Sequence, residues 1–400
     1  MQVYLVGGAV RDTLLKHPVK DKDFVVVGSS VDEMLGAGFL QVGADFPVFL
    51  HPKTQQEYAL ARTERKQGYG YQGFSVHASP DVTLKEDLMR RDLTINAMAI
   101  EVTSLYDDTP LTGDVVDYYG GLNDIEQKVL RHVSDAFIED PLRVLRVARF
   151  YSRYFDMGFT IATETAALMQ SLSASGELAH LSADRIWQES SRAMMQRAPQ
   201  AYWQSLYDIG ALHTHFSPLV AAWDNAALRH TIMTALQYAA HFSLDLSQRW
   251  ALLMMSLCPA WQSQTQPPLK VAASTTDSDK QAADTIRAIG NRAKVPKIHT
   301  QFAALFVQHI DSLSKITHLT PAEQMALIHA SQAHKQPERL EQLIVTQHAL
   351  QMALDTIHMQ RALDSYHAIG MADIDQSLKG PAIGDALTAA RIAHLTQHSL

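Results

Sequence analysis

The sequence predicts an α+β fold, with a mixed sheet and helices in front and an all-α region behind. Short β-rich runs punctuated by glycine fill the first third of the chain, and apolar residues then recur at three- and four-residue intervals to Leu400. The 400 residues are 46% hydrophobic and 19% charged, enough apolar material for two or three domains with their own cores.

Gln2 to Val6 reads as a first strand, Gly7-Gly8 breaks it, and Ala9 to Lys16 carries helical spacing through Val10, Leu14 and Leu15. A strand therefore feeds a helix through two glycines. Phe24 to Val27 is a second strand, stopped by Gly28-Ser29-Ser30, and Val31 to Leu35 starts another helix with serine as its N-cap. Phe46 to Leu50 and Glu57 to Ala61 read as a hairpin. Glu64 to Pro80 is polar, interleaves Gly68, Gly70 and Gly73 with Tyr69, Tyr71 and Phe74, shows neither period, and is expected to be a mobile loop. From about Leu84 the pattern turns helical and stays so, most clearly over Asp140 to Phe150, Ala162 to Leu172 and Asp184 to Met195. In Gln262 to Asp284, Gln, Ser, Thr, Pro-Pro and Asp displace the apolar residues, which predicts a loop or linker.

Composition narrows the function classes. Disordered and fibrous chains are excluded, and no uninterrupted apolar run approaches the roughly 18 residues that span a bilayer, so no membrane partner is expected. The first residues show no basic region, apolar core and cleavage site of a secretory signal, which predicts a cytoplasmic location. Cys258 is the only cysteine, so there is no internal disulfide and no multi-thiolate zinc site, and any metal is held by oxygen or imidazole. A net charge of -8 argues against indiscriminate coating of nucleic acid but leaves room for a local basic face.

Asp21 and Asp23 stand one residue apart at the start of the second strand, where alternate side chains project from one face and can meet one cation. Hard oxygen ligands suit Mg²⁺, and two such ions activate an attacking hydroxyl and stabilise a leaving pyrophosphate. A bare D-x-D is more often a solvated turn. Its company changes that: Gly7 and Gly8 permit close backbone approach to a triphosphate, and Arg11 adds a guanidinium for phosphate.

The strings Leu5-Val-Gly-Gly-Ala-Val-Arg-Asp-Thr-Leu-Leu and Lys20-Asp-Lys-Asp-Phe resemble the nucleotidyltransferase signature of the DNA polymerase β superfamily. More narrowly they are similar to the class II tRNA nucleotidyltransferases, the CCA-adding enzymes and their poly(A) polymerase relatives. Arg90-Arg-Asp-Leu-Thr-Ile-Asn-Ala resembles the family motif for ribose and triphosphate. By that resemblance Asp92 accepts a hydrogen bond from the ribose 2′-OH, while Arg91 and Asn96 hold phosphates or sugar; read alone, the string serves equally as a surface ion-pair cluster. Glu139-Asp-Pro-Leu-Arg-Val-Leu-Arg resembles the family's amino-acid template, with Asp140 and Arg143 three apart on one helix. An aspartate accepts from an exocyclic amine and an arginine donates to a ring nitrogen or carbonyl, so the pair admits CTP and ATP and rejects UTP and GTP. In isolation the same pair reads as a plain helix salt bridge. Arg143, Arg146, Arg149 and Arg153 continue down this helix; the resemblance places Arg143 and Arg146 at the nucleotide and leaves the other two open.

The resemblance implies a polymerase-β-like head over 1–135, a helical neck over 136–225 carrying the base-recognition helix, and a helical body and tail over 226–400 that binds tRNA. It implies Mg²⁺-dependent addition of C, C and A to the tRNA 3′ end from CTP and ATP. Alternatives are a poly(A) polymerase, a partial CC- or A-adding enzyme, a silent RNA-binding protein and a small-molecule nucleotidyltransferase. Glu57 is a weaker candidate for a third metal carboxylate, and the Glu64 to Pro80 loop matches in position the family's loop for switching from C to A. Arg287, Arg292, Lys294 and Lys297 form the best basic cluster of the rear half, readable as a tRNA contact or as ordinary charged surface. Many relatives append a metal-dependent HD phosphohydrolase. Here His230 stands where the first ligand is expected, but Leu253-Met-Met-Ser-Leu-Cys-Pro-Ala-Trp replaces the His-Asp pair, so that activity is not expected.

Overall fold

The computed structural model describes residues 1–42, 48–66, 74–102, 113–258, 277–314, 318–350 and 356–398. They form two compact units, Met1–Ala193 with Ala201–Thr214, and Met194–Gln200 with His215–Leu400.

The first unit is built on strands β1 (Gln2–Val6), β2 (Asp23–Val27), β3 (Leu40–Val42), β4 (Val48–Leu50), β5 (Glu57–Leu60), β8 (Met98–Glu101) and β9 (Val115–Asp117), ordered β3-β4-β5-β2-β1-β8-β9. Only β2 and β5 run parallel; the other pairs are antiparallel. Alternate residues serve opposite faces. Val3, Leu5, Phe24 and Val26 pack with Val10 of helix α1 (Gly8–Leu14) and Met34 of α2 (Val31–Gly36). Tyr4, Val6 and Val25 pack on the other side with Leu84 and Leu88 of α3 (Leu84–Met89). Burial on both faces is why these strands read as continuous apolar runs rather than as alternation. Ser30 caps α2 as expected, in a reciprocal box with Glu33.

Three expectations need correction. The text after Leu84 is not uniformly helical: β8 and β9 complete the sheet, with Tyr4 opposite Glu101 and Ile100 opposite Val115. Met98, Ala99 and Ile100 are all buried, so the segment shows no period of its own and becomes a strand only because the edge of β1 accepts it. Glu64 to Pro80 is not wholly a loop, since β6 (Arg62–Lys66) and β7 (Phe74–Ala78) pair as an antiparallel hairpin from Arg62 opposite Ala78 to Lys66 opposite Phe74. Cross-strand pairing supplies order that neither arm signals; the loop's centre, residues 67–73, lies outside the described residues. The expected linker also ends earlier, because Asp277–Arg292 is a helix burying Ala282, Ala283, Ile286 and Ile289. The rest of that linker, to residue 276, is outside the described residues.

Helices α5 (Leu142–Tyr154), α6 (Thr163–Ala174) and α7 (Ala183–Met194), with α4 (Gly121–Gln127) before them, complete the part of the fold that the site uses. In the second unit, Leu246–Met254 packs against Lys297–Ser314. Leu253, Met254, Met255, Ser256, Leu257 and Cys258 are buried there, whereas His230 is exposed. Among the described residues no helix is long and apolar enough to cross a membrane.

Candidate active site

Gly7, with φ of 69°, turns the chain from β1 into α1, a left-handed conformation that suits glycine. The turn leaves Arg91 close, for a β-carbon on Gly7 would stand 2.8 Å from Arg91 Nη1. Asp23 opens β2 directly opposite Val6, and Asp21 precedes it by two residues, so both carboxylates flank the glycine turn. Loss of surrounding solvent raises the Asp23 pKa, the Arg91 guanidinium pulls it back, and the charge of Asp21 adds to the rise. Two carboxylates beside one turn, the charge of Asp23 disfavoured where it stands, supply the hard oxygen donors that a divalent cation takes, and the donor set therefore fits a metal.

Arg11 is buried, donates from Nε to Asp12 Oδ1 at 2.9 Å and from Nη1 to Asn96 Oδ1, and lies over the rings of Phe150 and Tyr154 at 5.2 and 5.6 Å. Asp12 also accepts from Arg153 Nη2 at 3.0 Å and from the Tyr154 hydroxyl at 3.3 Å. Burial is the main reason the Tyr154 phenol is pushed up to about 12.

Asp87, fully buried on α3, accepts from Arg90 Nη2 at 2.8 Å and from Arg91 Nη2 at 3.3 Å. Burial alone would raise its pKa, yet the two guanidinium groups hold it below the usual carboxylate range. Asp92 is buried too. Its Oδ1 accepts from Leu93 N–H and Asn96 Nδ2, both at 2.9 Å, and its Oδ2 from Arg146 Nε at 2.8 Å and Nη2 at 2.7 Å. Against the cost of burial, chiefly Arg146 and then Asn96 hold this carboxyl far below its ordinary value.

Pro141 leads into α5, and Asp140 before it accepts from Leu142 N–H and from Arg185 Nη2 of α7, each at 3.0 Å. Arg143 donates to the carbonyls of Ala136 and Arg90, the latter at 2.6 Å. Arg149 meets Glu189 at 2.5 Å and Arg153 meets Asp12, so the two arginines left open by the sequence have carboxylate partners.

These elements enclose a cavity of about 510 Å³. Gly8, Arg11, Asp21, Asp23, Arg91, Asp92, Asn96, Asp140, Arg143 and Arg146 all line it, so every residue nominated from the four sequence motifs faces one space. Arg90, Arg149, Arg153, Phe150 and Arg192 complete much of the remaining wall. Glu57 sits in register with Asp23 across β2 and β5 but is exposed and is not among the lining residues. In the second unit Arg287, Arg292, Lys294 and Lys297 are exposed, with Arg287 paired to Asp284 at 2.6 Å.

Sequence reasoning missed Asp87 and Asp12 as organisers of the arginines, and it missed Asp124. The buried Asp124 carboxylate accepts from Thr94 Oγ1 at 2.7 Å and pairs with Arg131 at 3.2 Å, bracing the turn that carries Asp92 and Asn96. The only signal for Asp87 was its spacing of three and four from Arg90 and Arg91.

Residues 3–131 match the family model described as the poly A polymerase head domain, and residues 158–223 match one described as a probable RNA and SrmB-binding site of polymerase A. The multifunctional CCA protein of Pseudomonas aeruginosa (strain LESB58) is 41% identical over 414 residues, covering 99% of this chain and 98% of that protein. Its counterpart from Alcanivorax borkumensis is 42% identical, covering 98% and 97%. Among solved structures, a CCA-adding enzyme in apo form II gives a TM-score of 0.64 at 18% identity, covering 100% of this chain and 91% of that one. The Thermotoga maritima CCA-adding enzyme complexed with tRNA_CCA gives 0.62 at 18%, covering 98% and 87%. The structural matches establish a shared fold; with identity above 40% sustained along nearly the whole chain, this protein belongs to the multifunctional CCA protein family.

Proposed function

We propose that this protein is a CCA tRNA nucleotidyltransferase, adding C, C and A to the 3′ end of tRNA from CTP and ATP with no nucleic-acid template. One observation carries the reading: the paired carboxylates Asp21 and Asp23 and the base-reading candidates Asp140 and Arg143 line the same cavity. Its relatives' printed names, and neighbours described as CCA-adding enzymes with ATP, with CTP and with tRNA, point the same way.

Asp21 and Asp23 would hold Mg²⁺, which when bound supplies charge for activating the tRNA 3′-hydroxyl and for the departing pyrophosphate. The hydroxyl attacks the α-phosphate in line and pyrophosphate leaves. Gly8 gives the triphosphate access to the backbone, and Arg11, Arg91 and Asn96 hold it. Asp92 reads the ribose. Asp140 accepts the exocyclic amine of cytosine or adenine while Arg143 donates to the adjacent acceptor; uracil and guanine present a carbonyl to Asp140 and leave its charge unmatched. In this reading residues 1–135 are the catalytic head, 136–225 the neck, and 226–400 the tRNA-gripping body and tail, acting in the cytoplasm. Phosphohydrolase chemistry is left out of this reading, because the stretch Leu253-Met-Met-Ser-Leu-Cys-Pro-Ala-Trp carries no His-Asp pair.

The test is incubation with tRNA ending before CCA, with each nucleoside triphosphate singly and in pairs, and sizing of the products. Two C and one A, abolished by Asp21→Ala, is the expected result. Long A tails from ATP alone would favour the poly(A) polymerase reading suggested by the head-domain match, and addition stopping after C would mark a partial enzyme.

A further inference from the structure

We infer that Arg146 is a positioning residue for sugar selection, acting on the nucleotide through Asp92 rather than as a direct phosphate ligand. This rests on the proposed nucleotidyl transfer. Asp92 is 6% exposed, and its two oxygens are served from different sides. Leu93 N–H and Asn96 Nδ2 fix Oδ1, both from the same short turn, whereas Oδ2 is held only across space, by Nε and Nη2 of Arg146 on α5.

The guanidinium is itself constrained. It lies over the Phe150 ring at 5.8 Å, and its Nη1 stands 3.9 Å from Glu189, which is engaged more closely by Arg149. An arginine whose planar fork grips one carboxylate and borders a second has little positive charge to spare for a triphosphate, and its energetic effect falls on the group it grips. The side chain is 34% exposed, so the Asp92–Arg146 contact lies at the cavity surface where a ribose can meet it. A 2′-hydroxyl donating to Oδ2 must do so in the place and direction that Arg146 leaves. Without Arg146 the carboxylate keeps its Oδ1 anchors, loses the fixed direction of Oδ2, and loses the principal charge that keeps it ionised.

The experiment compares kcat/KM for CTP and for 2′-deoxy-CTP, on tRNA ending before CCA, in the wild type and in Arg146→Ala, Arg146→Gln and Arg146→Lys. The expected result is a ribose preference about tenfold lower in the alanine and glutamine variants, the scale of one charged hydrogen bond, and partly restored by lysine, which returns the charge without the fork. A direct phosphate role predicts that both nucleotides weaken together with their ratio unchanged, and that outcome overturns the proposal. If the alanine variant fails to fold, as a melting curve would show, the glutamine and lysine ratios decide. A wild type that adds neither nucleotide removes the nucleotidyltransferase reading itself; a wild type that adds CTP with no ribose preference removes only the sugar assignment.

Discussion

Arg185 reaches from α7 to place Nη2 3.0 Å from Oδ2 of Asp140, the residue just ahead of α5. Since Leu142 N–H holds Oδ1 at 3.0 Å, the carboxylate is fixed at both ends, one by its own helix start and one by a side chain from another helix. Arg185→Ala should therefore loosen base choice, raising UTP and GTP incorporation relative to CTP and ATP about fivefold, the worth of roughly 1 kcal/mol. Single-nucleotide incorporation assays check this, with tRNA affinity as the control that should not move. Unaltered selectivity would show that Leu142 N–H alone orients Asp140.

Asp87 bears on stability more than on chemistry. It is buried between Arg90 and Arg91, and its Oδ1 also accepts the Arg62 N–H at 3.3 Å where β6 begins. Removing the carboxylate takes a shared counter-charge from two guanidinium groups, a change that costs about 3–5 kcal/mol in comparable buried pairs. Asp87→Ala should lower the urea midpoint accordingly. Asp87→Asn keeps the shape, so it should retain more stability yet raise KM for both nucleotides through displaced Arg91. Equal midpoints for wild type and Asp87→Ala would contradict a load on this residue.

How much of this could be read without coordinates depends on where each partner lies in the chain. Gly7-Gly8, Asp21 with Asp23, Arg90 to Asn96 and Asp140 to Arg146 are short strings whose polar candidates face one cavity, and their resemblance to family motifs announced them where spacing alone favoured plain turns and salt bridges. The contacts that orient them were not legible. Asp124 looks like an ordinary helical charge, and Arg185 and Glu189, although their string Leu181 to Glu189 resembles a family helix whose arginine and glutamate serve structure, name no partner until the helices pack. The same distinction separates β1 and β2, bounded by glycine and serine, from β8, whose Met98, Ala99 and Ile100 need the edge of β1 to become a strand.

Gly7 tests the glycine turn directly. A side chain there is strained by about 1–2 kcal/mol at φ of 69° and also meets Arg91 Nη1 at 2.8 Å. Because the obstacle is the far end of a long side chain, Gly7→Ala should fold, displace Arg91, and lose nucleotide addition at least tenfold. Circular dichroism and addition rates separate the two effects, and a folded variant with full activity would mean that Arg91 has room to move without consequence.

Acid should unfold the first unit through Asp87 and Asp92. Both carboxyls titrate below their ordinary value of about 4 in the folded state, held there chiefly by Arg90 and Arg91 for Asp87 and by Arg146 for Asp92. Between the folded and unfolded values the unfolded chain binds more protons, so stability falls as pH falls. The contribution is complete above the unfolded pKa of about 4 and is lost progressively below it. Asp92→Asn removes one of these groups, and its urea midpoint should lie below that of the wild type at pH 7 and draw closer as pH drops from 5 to 3. Curves that stay parallel over that range would mean that the Asp92–Arg146 pair adds nothing to stability through its charge.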